Sequence, residues 1–128
     1  MPERPTVLLV EHDMATRQLY QRTLQPEYRV LTAASAEEAS ALVRRETPRA
    51  IIVEPGPAGG REWTWLAARQ HDPDLRGVPL ILCTSQDERR HGLELGAAVY
   101  LTKPVLPADL LAAVHRLTHS DFAAGGAV

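Results

Sequence analysis

Acids, hydroxyls and a lysine stand at four places in this sequence, each just after a short apolar run. Glu11, His12 and Asp13 follow Val-Leu-Leu-Val, and Glu54 follows Ala-Ile-Ile-Val. Thr84 and Ser85 follow a run ending in Cys83, while Lys103 and Pro104 follow Val-Tyr-Leu-Thr. Brought to one edge, these groups would make a phosphate or metal site. Carboxylates offer oxygen to a hard cation or attack phosphorus, an ammonium neutralises phosphoryl oxygens, and a hydroxyl hydrogen-bonds them. Any one such residue is no more than what contact with water selects at the end of a strand. The whole set, in this order, points to chemistry.

For these residues to meet, the elements carrying them must end together. Thr6–Val10, residues 28–33, Ala50–Val53, residues 78–83 and Val99–Thr102 read as strands, short and rich in aliphatic residues. The run at 50–53 is aliphatic throughout, the mark of a strand covered on both faces, whereas 28–33 is partly polar and reads as nearer an edge. The intervening stretches predict helices. Over 13–25, Ala15, Leu19, Thr23 and Leu24 recur on one face and Pro26 stops the helix. Ser35 and Glu38 form a capping-box pattern before a helix that turns Ala39, Leu42 and Val43 inward and ends by Pro48. A third helix is expected over 62–71, with Trp63, Leu66 and Ala67 inward. Trp63 and Trp65 cannot both face inward, which leaves one as a candidate partner surface. A fourth covers 87–95 and ends at Gly96, and Pro107 opens a fifth, striped by Leu110, Leu111, Val114 and Leu117.

Five strands alternating with five helices imply right-handed crossovers and a doubly wound parallel sheet, whose working site lies at the carboxyl ends of its strands. The expected organisation is one domain over residues 1–119 and a disordered Gly/Ala-rich tail over 120–128. The 128 residues leave little room for a second domain. A net charge of -2 gives no field for nucleic acid or an anionic membrane. No apolar run nears the roughly 20 residues that span a bilayer. The start of the chain lacks the long apolar stretch of a signal peptide, and the lone Cys83 suits a reducing compartment, so a cytoplasmic location is expected.

With these residues in hand, the sequence resembles the receiver family of two-component signalling, from about residue 6 to 117. Val-Leu-Leu-Val-Glu-His-Asp at 7–13 is similar to the family's first strand and acidic pair, and Ala-Ile-Ile-Val-Glu at 50–54 to the strand that ends in the phosphoacceptor. Val-Pro-Leu-Ile-Leu-Cys-Thr-Ser at 78–85 matches the strand ending in the switch hydroxyl, and Gly-Ala-Ala-Val-Tyr-Leu-Thr-Lys-Pro at 96–104 is the most specific match. The resemblance implies a flavodoxin-like α/β fold of receiver type and a signalling module rather than an enzyme. It also implies an aspartate that takes a phosphoryl group from a histidine kinase in the presence of magnesium. Thr84 then corresponds to the switch hydroxyl, Tyr100 to the switch aromatic and Lys103 to the phosphate lysine, with Pro104 implying a cis peptide after it.

The departures fall on the chemistry. Glu54 stands where the family carries the phosphoacceptor aspartate, and Glu11 and His12 stand where it carries two acids. An imidazole suits zinc, copper or nickel better than magnesium. Asp13, one residue further, belongs to the helix start unless the register shifts. Both loops bordering the pocket, after Glu54 and after Thr84, are shorter than the family's. Magnesium, the one cofactor the resemblance implies, is left with Glu11 and Glu54 as candidate ligands, and the departures weigh against it. The reading is a fixed-state, or pseudo-receiver, module in which Glu54 pairs with Lys103 and stands in for a phosphorylated aspartate. His12, as imidazolium, would add positive charge. The module would act on a protein partner, a histidine kinase or an output protein, through the fourth helix, fifth strand and fifth helix, and could also form a homodimer.

Two alternatives stand beside it: a phosphorylatable regulator using Glu54 or a shifted acid, and a small flavodoxin-like enzyme, for which no nucleophile elbow or flavin-phosphate loop is present. Tyr100 could equally be a strand aromatic packed on the last helix. His115 and His119 have a metal-compatible spacing but no third ligand, and read as exposed side chains. Arg89, Arg90 and His91 read as a solvated helix face, and Cys83 as a small core residue.

Overall fold

Side chains alternate sides along a strand, and that alternation builds the core in two halves. In the computed structural model, which describes residues 4–56, 60–84, 92 and 94–119, β1 (Thr6–Val10) sends Val7 and Leu9 to one side and Leu8 and Val10 to the other. β3 (Ala50–Val53) and β4 (Leu80–Thr84) do the same and are buried at every position. With β2 (Arg29–Ala33) and β5 (Val99–Thr102) they form one parallel sheet in the order β2-β1-β3-β4-β5. The polar run at 28–33 is indeed at an edge.

The helices cover both faces. α1 (Met14–Leu24) and α4 (Pro107–Thr118) close one half of the core with Tyr20, Leu24, Leu110, Ala113 and Val114. α2 (Ala36–Arg45) and α3 (Arg61–Arg69) close the other with Ala39, Trp63 and Leu66. Fully burying one such aliphatic or aromatic side chain contributes about 1.5–3 kcal/mol. Ser35 caps α2 as expected, accepting from the Glu38 N–H at 3.2 Å, while Glu38 Oε1 reaches one residue further back than a capping box requires and accepts from the Ala34 N–H at 2.9 Å.

The architecture is the doubly wound five-stranded sheet expected, with local differences. Four helices are described. The fourth helix expected, over 87–95, lies largely outside the described residues. Its end is visible, where Gly96 adopts a φ of 80° and the Ala97 N–H donates to the Gly92 carbonyl at 3.1 Å, a glycine-terminated cap. β4 starts at Leu80 rather than at residue 78, because Pro79 has no N–H to give a ladder. Leu19, expected inward, is 42% exposed; Tyr20 and Leu24, four apart, are the residues that face the sheet. Trp63 is buried, while Trp65 is half-buried against the same cluster. The tail at 120–128, like Ser85 and residues 89–91, lies outside the described residues.

Long-range polar contacts pin the helices to the sheet. The Thr118 hydroxyl donates to the Val114 carbonyl and so accepts from the Tyr28 hydroxyl at 2.8 Å, joining the end of α4 to the entry of β2. Arg69, buried on α3, donates to the Val78 carbonyl at 2.6 Å, and Gln70 reaches the Glu94 carbonyl at 3.2 Å. Among the described residues no helix is long and apolar enough to cross a membrane.

Cys83 is 1% exposed in β4, and burial pushes its thiol up to about 12. A disulfide reagent at pH 8 should therefore leave the native thiol intact and label it fully once the chain is unfolded in guanidinium. Ile52 is 1% exposed at the centre of the sheet, so Ile52→Ala should cost about 2–5 kcal/mol, measured by urea unfolding.

Candidate functional site

In a doubly wound sheet the crevice opens where successive crossovers diverge to opposite sides, at the carboxyl ends of the two strands that part there. Here those strands are β1 and β3. The register pairs Val10 with Val53, so Glu11 and Glu54 follow side by side, and the Glu54 N–H continues the ladder to the Val10 carbonyl at 2.9 Å. On the next strands, the Lys103 N–H donates to the Thr84 carbonyl at 2.7 Å and carries the β4–β5 pairing beyond its last residues. Glu11, Glu54, Thr84 and Lys103, from four separate strand ends, thus share one edge.

Lys103 Nζ lies 2.8 Å from Glu11 Oε1 and 3.7 Å from Glu54 Oε2. The lysine and the two carboxylates meet across one cleft, with the shorter contact to Glu11. Glu11 is fully buried and Glu54 is 7% exposed. Glu11 Oε2 also accepts from the Asp13 N–H at 3.1 Å, and Glu54 Oε1 from the Gly56 N–H at 2.6 Å. Glu54 Oε2 is buried and accepts no hydrogen bond among the described residues. The Lys103–Pro104 peptide is cis.

Not every expected residue enters the cleft. Asp13 caps α1: its Oδ2 accepts from the Thr16 N–H at 2.9 Å and from the Thr16 hydroxyl at 2.6 Å, which holds the Asp13 carboxyl below its ordinary range. No register shift brings it inward. His12 turns outward, 69% exposed, with Nδ1 3.5 Å from Glu11 Oε2. Thr84 is 1% exposed at the end of β4. Tyr100 is half-buried and packs with the α2–α3 half of the core, not on the last helix. Its ring lies beside Gly92, where an added Cβ would come within 3.0 Å of Tyr100 Cδ2.

Three supporting roles escaped the sequence reading, which placed Trp63 only in the core. Arg17, one turn into α1, donates to the Glu11 carbonyl at 2.8 Å and holds the turn that presents Glu11. Gly56 adopts a φ of 70°, a left-handed conformation in which side chains are strained, and so turns its N–H back to Glu54. The Trp63 indole N–H donates to the Gly56 carbonyl at 3.2 Å and fixes that turn from below. The Pro-Gly pair at 55–56 was the one local signal available for it. Burial pushes the Tyr20 hydroxyl, near the two acids, up to about 12.

Magnesium asks for near-octahedral oxygen ligands at about 2.0–2.1 Å. The oxygens of Glu11 are taken by an ammonium and a backbone N–H, Asp13 is spent on its helix, and a lysine already lies against both buried carboxylates. Among the described residues, no three His, Cys, Asp or Glu side chains are grouped to hold a metal. These residues do not fit the ion. The same holds for His115 and His119. They are ring neighbours with centroids 3.5 Å apart, and His115 Nε2 lies 3.7 Å from Glu27 Oε1, beside a groove of about 730 Å³ along α4.

The family model for the response regulator receiver domain matches residues 7–115. The chain belongs to that family. Response regulator PleD of Caulobacter vibrioides is 34% identical over 116 residues, covering 88% of this chain and 26% of PleD. The phosphate regulon transcriptional regulatory protein PhoB of Pseudomonas aeruginosa is 30% identical, covering 84% of this chain and 48% of PhoB. The receiver domain therefore spans half or less of these curated relatives. Among solved structures, chemotaxis response regulator CheY4 of Vibrio cholerae superposes with a TM-score of 0.81 at 26% identity, covering 90% of this chain and 99% of CheY4.

The turn at Gly56 is what presents Glu54 in this receiver domain. Gly56→Ala has space, its nearest neighbour being Glu62 Oε1 at 3.9 Å, but meets the left-handed backbone penalty. It should cost about 1–2 kcal/mol in thermal or urea unfolding.

Proposed function

We propose that this receiver domain works in a fixed state, independent of phosphorylation, and signals through contact with a protein partner. The observation that carries this reading is the condition of the acceptor position. Glu54 is 7% exposed, one of its oxygens accepts the Gly56 N–H and the other lies 3.7 Å from the Lys103 ammonium. A phosphoryl donor would have to reach an enclosed carboxylate whose extra methylene shifts it along the line of attack, and in-line transfer tolerates little displacement. The residues facing it also fail to offer magnesium a ligand set.

In this reading Glu54 and Lys103 stand in for the phosphorylated aspartate and its lysine. Glu54 supplies about one negative charge, against the roughly -1.5 to -2 of a phosphoryl group. Glu11 shares the lysine, and Asp13 and His12 shape the rim. Thr84 and Tyr100 hold the positions of the switch pair, and the half-buried Tyr100 ring beside Gly92 is what a settled switch would look like. The output surface is the segment before β5, β5 itself and α4, and the partner is a histidine kinase or an output protein in the cytoplasm.

The deciding experiment is intact mass spectrometry after incubation with acetyl phosphate and magnesium. The chain should gain no stable phosphoryl group. A stable adduct mapping to Glu54 would reverse the reading and make this a phosphorylatable regulator.

A further inference from the structure

Two glycines precede β5, and they serve different ends. Gly96 supplies a backbone with a φ of 80°, whereas Gly92 has no positive φ and contributes only its missing side chain. A Cβ added at Gly92 would lie 2.8 Å from Leu82 Cδ1, 3.0 Å from Tyr100 Cδ2 and 3.1 Å from Tyr100 Cε2. Leu82 and Tyr100 are register partners on β4 and β5 and pack in the same half of the core. The backbone at Gly92 therefore rests directly on this pair. We infer that Gly92 is the positioning residue of Tyr100: its bare backbone seats the segment before β5 on the ring and keeps the ring half-buried whatever the charge at Glu54.

The end of that segment is fastened from another side. The Gln70 side chain donates to the Glu94 carbonyl at 3.2 Å. Arg69, 4% exposed, spans the Leu95 carbonyl at 3.4 Å and the Val78 carbonyl at 2.6 Å. Carbonyls at the end of a helical turn lack donors of their own, and the end of α3 supplies them. The Ala98 N–H adds a further hold, donating to the Leu80 carbonyl at 2.8 Å. These contacts keep Gly92 over the ring and involve neither Glu54 nor Lys103. A close-packed interior does not absorb an added methyl group without movement. Leu82 is fully buried in an interior strand and cannot recede, while Tyr100 is half-buried on the edge strand and can. A side chain at position 92 would therefore turn the ring outward. The inference deepens the fixed-state reading, and rests on it for Tyr100 as the switch aromatic, by naming what holds that aromatic in place.

The test is fluorine NMR on the chain labelled with fluorotyrosine. Tyr100→Phe assigns the Tyr100 resonance, and Tyr20 and Tyr28, 3% and 2% exposed, report whether the core is intact. Gly92→Ala should move the Tyr100 resonance and enlarge its shift between light and heavy water, as a ring turned to solvent does, with Tyr20 and Tyr28 unmoved. Glu54→Gln should leave Tyr100 in place. An unmoved Tyr100 in a folded Gly92→Ala chain would overturn the inference, as would a Glu54→Gln chain in which Tyr100 shifts as far as in Gly92→Ala. Should Gly92→Ala fail to fold, Gln70→Ala decides. It frees the Glu94 carbonyl without adding bulk and should enlarge the same solvent shift; no change there overturns the inference. Phosphoryl gain is read by mass and ring placement by fluorine, so the fixed-state reading and this inference fail separately.

Discussion

Lys103 brings one positive charge to two carboxylates that water scarcely reaches, and everything else at the cleft is arranged around that imbalance. Two unit charges about 4 Å apart interact by roughly 4 kcal/mol at an effective dielectric near 20. That attraction is comparable to the several kcal/mol it takes to strip water from each ion. The cluster therefore adds little net stability while being costly to break, since removing one member leaves a buried charge uncompensated. Glu11, with the shorter contact and no exposed surface, is the acid the lysine is committed to. Glu54 holds the weaker share and turns its other oxygen to its own loop.

The sheet makes this arrangement unavoidable. Parallel strands side by side deliver their final residues to the same edge, and the register that pairs Val10 with Val53 puts the two acids next to each other. β4 lies between β3 and β5, so the lysine must reach across one strand to find them, and a long flexible side chain does this where a shorter one would not. Around that reach, the fold supplies rigid stops. Arg17 fastens the turn after β1, and Trp63 fastens the turn after β3 from the opposite layer. Each helix layer thus contributes one side chain that fastens the backbone at or just after an acid: Arg17 at the Glu11 carbonyl and Trp63 at the Gly56 carbonyl.

This division explains what could be read in advance. The strands, the order of elements and the meeting of Glu11, Glu54 and Lys103 follow from aliphatic runs and their polar ends, which are local signals. Family resemblance added the cis peptide after Lys103, which spacing alone does not suggest. The failures have a common cause, a dependence on distant contacts. Leu19 fits the apolar stripe of α1 as well as Tyr20 does, and only the packing against α4 and the sheet decides that Tyr20 is inside. Tyr100 could have faced either layer, and the parity of an edge strand set it against the α2–α3 half. That Lys103 prefers Glu11 over Glu54 is a difference of less than an ångström, beyond any pattern in the sequence.

Glu54 is one methylene longer than an aspartate, and the extra length changes what its carboxylate can reach. An aspartate at a strand end is short and projects into the crevice. One more methylene gives the side chain the length to fold back, and the left-handed Gly56 places a backbone N–H 2.6 Å from Oε1 to receive it. The loop and the longer acid are thus matched: Pro55 stiffens the exit from β3, Gly56 makes the turn, and the Trp63 indole holds its carbonyl. Glu54 and its loop are thus one unit: the length of the side chain lets the Gly56 N–H and the Lys103 ammonium act on opposite oxygens of one carboxylate.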